Sequence, residues 1–127
     1  MAWCFDNEFD QSARDFQGEL KLGYAEVPAI WSIEVCSTMI IGARRNRLTD
    51  TQMDDFLDLI GSFDIRIAPP VAIAGIAALI EVAQRERLSS YDAAYLDLAM
   101  QTGLPLATRD QALAAAAQRN GVDLVPA

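Results

Sequence analysis

Four short apolar segments, separated by longer stretches of helical periodicity, constrain the fold of this chain more than any other feature. The segments that we interpret as strands are residues 25–27, 63–67, 104–107 and 122–125. The stretches that we interpret as helices are residues 9–22, 29–47, 49–61, 71–87, 89–103 and 110–120. Strands that alternate with helices indicate an α/β protein, with a central parallel sheet and helices on both faces. At 127 residues, we expect a single domain over residues 1–127.

The ends of two predicted helices carry residues that are typical of helix caps. Thr49 is followed three residues later by Gln52, which is the pattern of a capping box, and Gly61 follows the last apolar position. Ser89 precedes Asp92 by the same spacing, and a glycine at 103 ends that helix. We therefore expect one helix to begin at position 49 or 50 and another at position 89 or 90.

Composition excludes several kinds of chemistry. The chain has no histidine, which removes Ser-His-Asp and Cys-His nucleophile pairs, histidine-based ribonucleases and HExxH zinc sites. Its net charge of −8 repels nucleic acid, so binding a nucleic acid requires a local basic patch or a bound metal ion. Cys4 and Cys36 lack the spacing of a disulfide framework, and the longest uncharged apolar stretch, residues 68–80, is too short to cross a bilayer. These features favour a cytoplasmic protein.

Three acidic residues lie where a parallel sheet would form a site. Glu34 follows the first predicted strand, Asp92 opens the helix after Ser89, and Asp110 directly follows residues 104–107. Close carboxylates repel one another unless a cation lies among them, and oxygen ligands suit Mg²⁺ or Mn²⁺. Such ions activate water and stabilise the charge that develops on a phosphodiester.

Each acid also has a purely structural interpretation. Asp92 is the third residue of the capping pattern that Ser89 begins, and Asp110 is a favourable anion at a helix start. Glu34 fits a solvated helix position, and Thr108 fits a helix cap as well as a site hydroxyl. Spacing alone does not decide between the structural and the catalytic interpretation.

The sequence around these acids resembles PIN-domain ribonuclease toxins of the VapC type. The three ordered motifs that carry the likeness are Val-Pro-Ala-Ile-Trp-Ser-Ile-Glu-Val at 27–35, Ser-Ser-Tyr-Asp-Ala-Ala-Tyr-Leu at 89–96 and Leu-Pro-Leu-Ala-Thr-Arg-Asp at 104–110. The resemblance implies a PIN-like three-layer α/β/α fold and a Mg²⁺- or Mn²⁺-dependent endoribonuclease of a toxin-antitoxin pair. It also implies a VapB-type antitoxin and a second copy of the chain as partners, and RNA as substrate.

The same resemblance assigns roles to individual residues. Glu34, Asp92 and Asp110 match the catalytic and metal-binding carboxylates of the family, and Thr108 matches the threonine of its Thr-x-Asp motif. Arg109 adjoins Asp110, and an arginine at the mouth of such a site suits contact with RNA phosphates. We therefore expect Arg109 and Thr108 to contact the substrate.

One departure from the family pattern concerns the beginning of the chain. The family begins with a strand that ends in an aspartate, whereas this chain begins at Met1 within the corresponding region. Asp6 and Asp10 do not match that motif. We expect an N-terminally truncated domain whose first strand is missing, or one in which a swapped segment or a partner strand takes its place. The alternative function is a nuclease-dead or weakened fragment that acts by binding its antitoxin.

Overall fold

The computed structural model describes residues 24–125 of the chain. The predicted helix at residues 9–22 and the apolar run at the beginning of the chain lie outside the described residues. In chain order the elements are β1 (Ala25–Val27), α1 (Trp31–Arg44), α2 (Asp50–Gly61), β2 (Ile65–Ile67), a 3₁₀ turn (Ile73–Gly75), α3 (Ile76–Glu86), α4 (Ser90–Thr102) and α5 (Gln111–Arg119).

The helix starts follow the capping residues of the sequence. Thr49 accepts a hydrogen bond from the backbone N–H of Gln52, whose side chain accepts one from the Thr49 backbone, so the predicted capping box at α2 is confirmed. Ser89 caps α4 by accepting a bond from the N–H of Asp92, and Gly103 ends α4 at a φ of 72°. Only glycine adopts such a positive φ without steric cost, which explains where α4 ends.

The sheet is much smaller than the sequence pattern predicts. β1 and β2 pair in parallel, with Ala25 opposite Ile65 and Val27 opposite Ile67, and they form a two-stranded sheet. Residues 104–107 and 122–125 contribute only an isolated parallel bridge between Leu106 and Leu124. The prediction of a PIN-like three-layer α/β/α fold with a central parallel sheet is therefore wrong: residues 24–125 are mostly helical around a short two-stranded sheet.

The isolated bridge has a simple physical cause. Leu106 makes both of its hydrogen bonds, since its N–H donates to the Asp123 carbonyl at 2.8 Å and its carbonyl accepts from Val125 at 3.0 Å. The residue before it is Pro105, which has no N–H to extend a ladder. The apolar pattern of these segments is satisfied by burial of single residues such as Leu106, without the longer ladder that makes a strand.

Two predicted helices are shorter than expected. The segment 71–87 begins as a 3₁₀ turn and becomes α-helical only after Gly75, a residue that disfavours helix. Helix α1 ends at Arg44 instead of position 47, and Asn46 adopts a φ of 55°. Asparagine tolerates this left-handed conformation better than most residues do, so it provides the turn that leads into α2.

The core lies between α4 and the helices around it. Phe56 of α2, Leu96 of α4 and Leu113 of α5 are the largest fully buried side chains. Helix α4 packs against both α3 and α5. Among residues 24–125, no helix has both the length and the apolar character needed to cross a membrane.

Candidate functional site

Glu34 is tied to α4 by a direct hydrogen bond. The Tyr95 hydroxyl donates to Oε1 of Glu34 at 2.7 Å, which joins residues that are 61 positions apart in the sequence. Tyr95 is buried and Glu34 is half-buried, so the bond lies at the edge of the core and not in open solvent. Glu34 is therefore not simply a solvated helix residue, because its carboxylate has a fixed partner on another helix.

Asp92 lies one helical turn before Tyr95 on the same helix. Residues three apart share a helix face, so Asp92 lies on the side of α4 that receives Glu34. The N–H of Asp92 is bonded to Ser89, but its half-buried carboxylate accepts no hydrogen bond from any residue in the range 24–125. The structure thus places Asp92 one helical turn from the residue that Glu34 contacts.

Asp110 lies in a different environment from Glu34 and Asp92. It is the N-cap residue of α5, and its carboxylate accepts a hydrogen bond from the Leu113 N–H at 2.8 Å. Thr108 accepts a bond from the Asp110 N–H at 3.1 Å, so both residues organise the turn that leads into α5. Arg109, between them, is exposed. Asp110 and Thr108 therefore have the helix-capping role that the sequence allowed for them. That Asp110 binds a metal ion and that Thr108 contacts RNA stay predictions.

The described residues do not fit a complete metal centre. Within positions 24–125, no group of three or more His, Cys, Asp or Glu side chains is arranged so that it could hold a metal ion. Asp110 directs an oxygen to its own helix, and Glu34 gives one oxygen to Tyr95. The expected set of Glu34, Asp92 and Asp110 is therefore not assembled as a three-carboxylate site in this part of the chain.

Two residues that lie away from these acids, Glu86 and Arg66, have shifted pKa values. Glu86, at the end of α3, accepts hydrogen bonds from Arg119 at 2.9 Å and Arg85 at 3.3 Å, and the Arg119 bond is the main cause that lowers its pKa. The Arg66 pKa is raised mainly by its hydrogen bond to Asp64. Both groups stay charged near neutral pH and serve as ion pairs that join or order surface segments.

A groove of about 910 Å³ lies beside α4, and the sequence analysis missed it. Helix α4 contributes Ala94, Asp97, Leu98 and Gln101 to its lining, and α3 contributes Leu79. The sequence signal was available: α4 has apolar residues on both of its faces, whereas a helix at the edge of a core needs only one.

Comparison with known proteins informs the fold and nothing more specific. The sequence matches no protein-family model and no curated protein. The structure is similar to the crystal structure of PAE2754 from Pyrobaculum aerophilum, with a TM-score of 0.62 and 22% sequence identity over 84% of this chain and 75% of that chain. At this level of identity the two proteins share a fold, and the likeness carries no statement about activity.

Proposed function

We propose that the protein is the toxin of a cytoplasmic toxin-antitoxin pair and that it cleaves RNA phosphodiesters as a Mg²⁺- or Mn²⁺-dependent endoribonuclease. The observation that carries the proposal is the Tyr95–Glu34 hydrogen bond, because it holds Glu34 beside the helix turn that contains Asp92. The likeness of residues 27–35, 89–96 and 104–110 to VapC-type toxins supports the same function.

In this proposal the three acids do not contribute equally. Asp92 and Glu34 are the carboxylates that act at the site, and Asp110 combines its capping bond with a place near the substrate. Arg109 and Thr108 contact RNA, since a guanidinium and a hydroxyl are common phosphate partners. The donor set within residues 24–125 is incomplete, so metal binding depends on ligands beyond these side chains.

An RNA-cleavage assay in the presence of Mn²⁺ tests the proposal. The Asp92→Asn variant keeps the size of the side chain and removes its charge, and we expect it to lower the cleavage rate by about 100-fold. Asp55→Asn is a matched control, because Asp55 is exposed on α2 and the substitution makes the same chemical change. Equal cleavage by both variants, or cleavage that persists in excess chelator, would contradict the proposal.

The proposed partners are a VapB-type antitoxin and a second copy of the chain. The supporting observation is a row of isoleucines, Ile73, Ile76 and Ile80, which lies at helical spacing and remains exposed, with Ile73 at 89%. Covering such a row would stabilise a complex, because each Å² of apolar surface removed from water contributes about 25 cal/mol. Binding of the antitoxin through this row is also the second candidate function, that of a fragment without nuclease activity.

Light scattering tests the self-association. A dimer that becomes monomeric in the Ile76→Lys variant would support a second copy on this row, and Ile41→Lys is the control at an exposed position of α1. A wild-type protein that is monomeric at all concentrations would exclude the second copy and leave the row to the antitoxin.

A further inference from the structure

Helices α1, α3 and α5 end in the same backbone turn, which α5 shows in its ordinary form. The Val122 N–H donates to the Ala117 carbonyl at 2.9 Å. The Gly121 N–H donates to the Gln118 carbonyl at 3.2 Å, and Gly121 has a φ of 71°. This pair of bonds defines a Schellman motif, in which one residue takes the left-handed conformation that glycine adopts without steric cost.

The motif that ends α3 has an arginine at the left-handed position. The Leu88 N–H donates to the Ala83 carbonyl at 2.9 Å, and the Arg87 N–H donates to the Gln84 carbonyl at 3.4 Å. Arg87 has a φ of 56° and a ψ of 42°. A residue with a Cβ meets a steric penalty in this region. Arg87 therefore holds a conformation that glycine would adopt more favourably.

The motif that ends α1 has an asparagine at the same position. Asn46 has a φ of 55°, and its N–H donates to the Ala43 carbonyl at 3.2 Å. The Arg47 N–H donates to the Gly42 carbonyl at 2.9 Å. Asparagine is the residue that most often replaces glycine in this conformation. Of these three turns, only the one after α3 has a residue that is poorly suited to its backbone.

The Arg87 side chain makes no structural contact that would offset this penalty. It is exposed, and it forms neither a hydrogen bond nor an ion pair with any residue from 24 to 125. The nearby Arg85, in contrast, donates to Glu86 at 3.3 Å. Leu88 packs against the core and fixes the turn. A strained residue with a free charged side chain, held on a fixed turn, is typical of functional sites.

The turn lies next to the proposed cleavage site. Arg87 is two residues before Ser89, whose hydroxyl accepts a bond from the Asp92 N–H at 3.1 Å. Two residues span at most about 7 Å and one helical turn rises about 5.4 Å, so the Cα atoms of Arg87 and Asp92 are no more than about 12 Å apart. A phosphate group of an RNA strand bound at Asp92 therefore lies within reach of the Arg87 guanidinium.

We propose that Arg87 is a substrate-binding residue that contacts an RNA phosphate group near the scissile bond. A protein with a net charge of −8 needs a local cation to hold RNA, and a guanidinium bonds phosphate oxygens in a bidentate way. The inference rests on the proposed function and adds a residue that the resemblance to VapC-type toxins does not assign.

Fluorescence anisotropy with a labelled single-stranded RNA of mixed sequence tests the proposal. Binding is measured in Mn²⁺ in the Asp92→Asn background, so that the RNA stays intact. Arg87→Gly is expected to weaken binding by about fivefold and to reduce the salt dependence of log Kd by about 0.7, the value of one phosphate contact on a single strand. Arg87→Lys keeps the charge and is expected to bind within about twofold of the protein with Arg87.

Arg87→Gly should also make the fold more stable. Glycine removes the steric penalty of the turn, and we expect the Tm to rise by about 3 °C. A variant that is more stable but binds RNA more weakly separates a substrate contact from a structural role. Asn46→Gly is the matched backbone control, with a smaller rise in Tm and unchanged RNA binding, because asparagine already tolerates the conformation.

Arg45→Gln is the matched control for charge and is compared with Arg87→Gln. Arg45 is exposed at the end of α1, about 16 Å along the helix from Glu34. Its substitution removes the same charge and is expected to leave the salt dependence of RNA binding unchanged. Equal losses in the two variants would assign the effect to net charge and overturn the proposal.

RNA cleavage by the protein with Asp92 intact keeps this inference distinct from the proposed function. Cleavage together with unchanged RNA binding in Arg87→Gly would remove the role of Arg87 alone. RNA binding that depends on Arg87 without any cleavage in Mn²⁺ would remove the nuclease proposal alone. A protein that neither binds nor cleaves RNA would overturn both.

Discussion

The first turns of α4 and α5 contain the same type of residue in two different roles. At α4, Ser89 caps the helix and Asp92 lies inside the first turn, so the carboxylate is not needed for the cap. At α5, Asp110 is itself the cap, and its carboxylate is bonded to the Leu113 N–H. The difference shows that an acid near a helix start is available for function where a separate hydroxyl residue satisfies the helix end.

The largest expected effect of this difference concerns cleavage of RNA. Asp92→Asn is expected to lower the cleavage rate by about 100-fold, because the variant loses the charge of a carboxylate that we propose acts in the reaction. The cap of α4 is supplied by Ser89 and stays in place. Asp110→Asn is expected to lower the rate less, since asparagine keeps the cap and the surrounding turn. Initial rates at saturating Mn²⁺ measure both variants. An equal loss of activity would contradict the different roles that we assign to Asp92 and Asp110.

The second expected effect is on stability, where substitution of Asp110 should cost more than substitution of Asp92. Asp110→Ala removes the cap of α5 and is expected to lower the free energy of unfolding by about 1 kcal/mol, as is Ser89→Ala at α4. Asp92→Ala leaves the Ser89 bond in place, so its effect is expected to be a few tenths of a kcal/mol. Urea denaturation followed by circular dichroism measures all three, and a large loss in Asp92→Ala would show that this carboxylate is structural.

The sequence allowed these helix starts to be predicted but not the sheet. Thr49 with Gln52 and Ser89 with Asp92 are local signals, because a cap and its partner lie within one turn. Strand pairing depends on distant residues, so the apolar pattern of residues 104–107 did not show that only Leu106 would form a bridge. A local pattern therefore indicated where the helices begin but not how the segments between them are arranged.

The candidate site was predictable in part for the same reason. Sequence position alone did not distinguish Asp92 from Asp110, because both lie near a helix start and follow polar residues. The Tyr95–Glu34 bond joins α1 to α4 across a large sequence separation, and no local signal contains it. The sequence pattern of a single core face on α4 does not indicate the groove, because Ala94 and Leu98, which line it, lie outside that face.

A third prediction concerns the hydrogen bond between Tyr95 of α4 and Glu34 of α1. Tyr95→Phe keeps the buried ring and removes only the hydroxyl that Glu34 accepts, and we expect it to lower the free energy of unfolding by about 1 kcal/mol. Cleavage of RNA should fall further than stability alone explains, because Glu34 loses its fixed position beside Asp92. Tyr91→Phe, at an exposed position of the same helix, is the control and should change neither quantity.

The smallest expected effect lies at the far end of α5, where Arg119 pairs with Glu86 of α3. The Arg119 bond lowers the Glu86 pKa below its ordinary value of 4.5, so the folded state holds this carboxylate ionised more firmly than the unfolded state does. A lowered folded-state pKa contributes stability that is present above the unfolded value and is lost as the pH falls through the folded value. The stability difference between wild type and Glu86→Gln should therefore be constant above about pH 5 and shrink in more acidic solution. Urea denaturation over this pH range measures the difference, and a difference that grows on acidification would show that Arg119 does not stabilise the ionised form of Glu86.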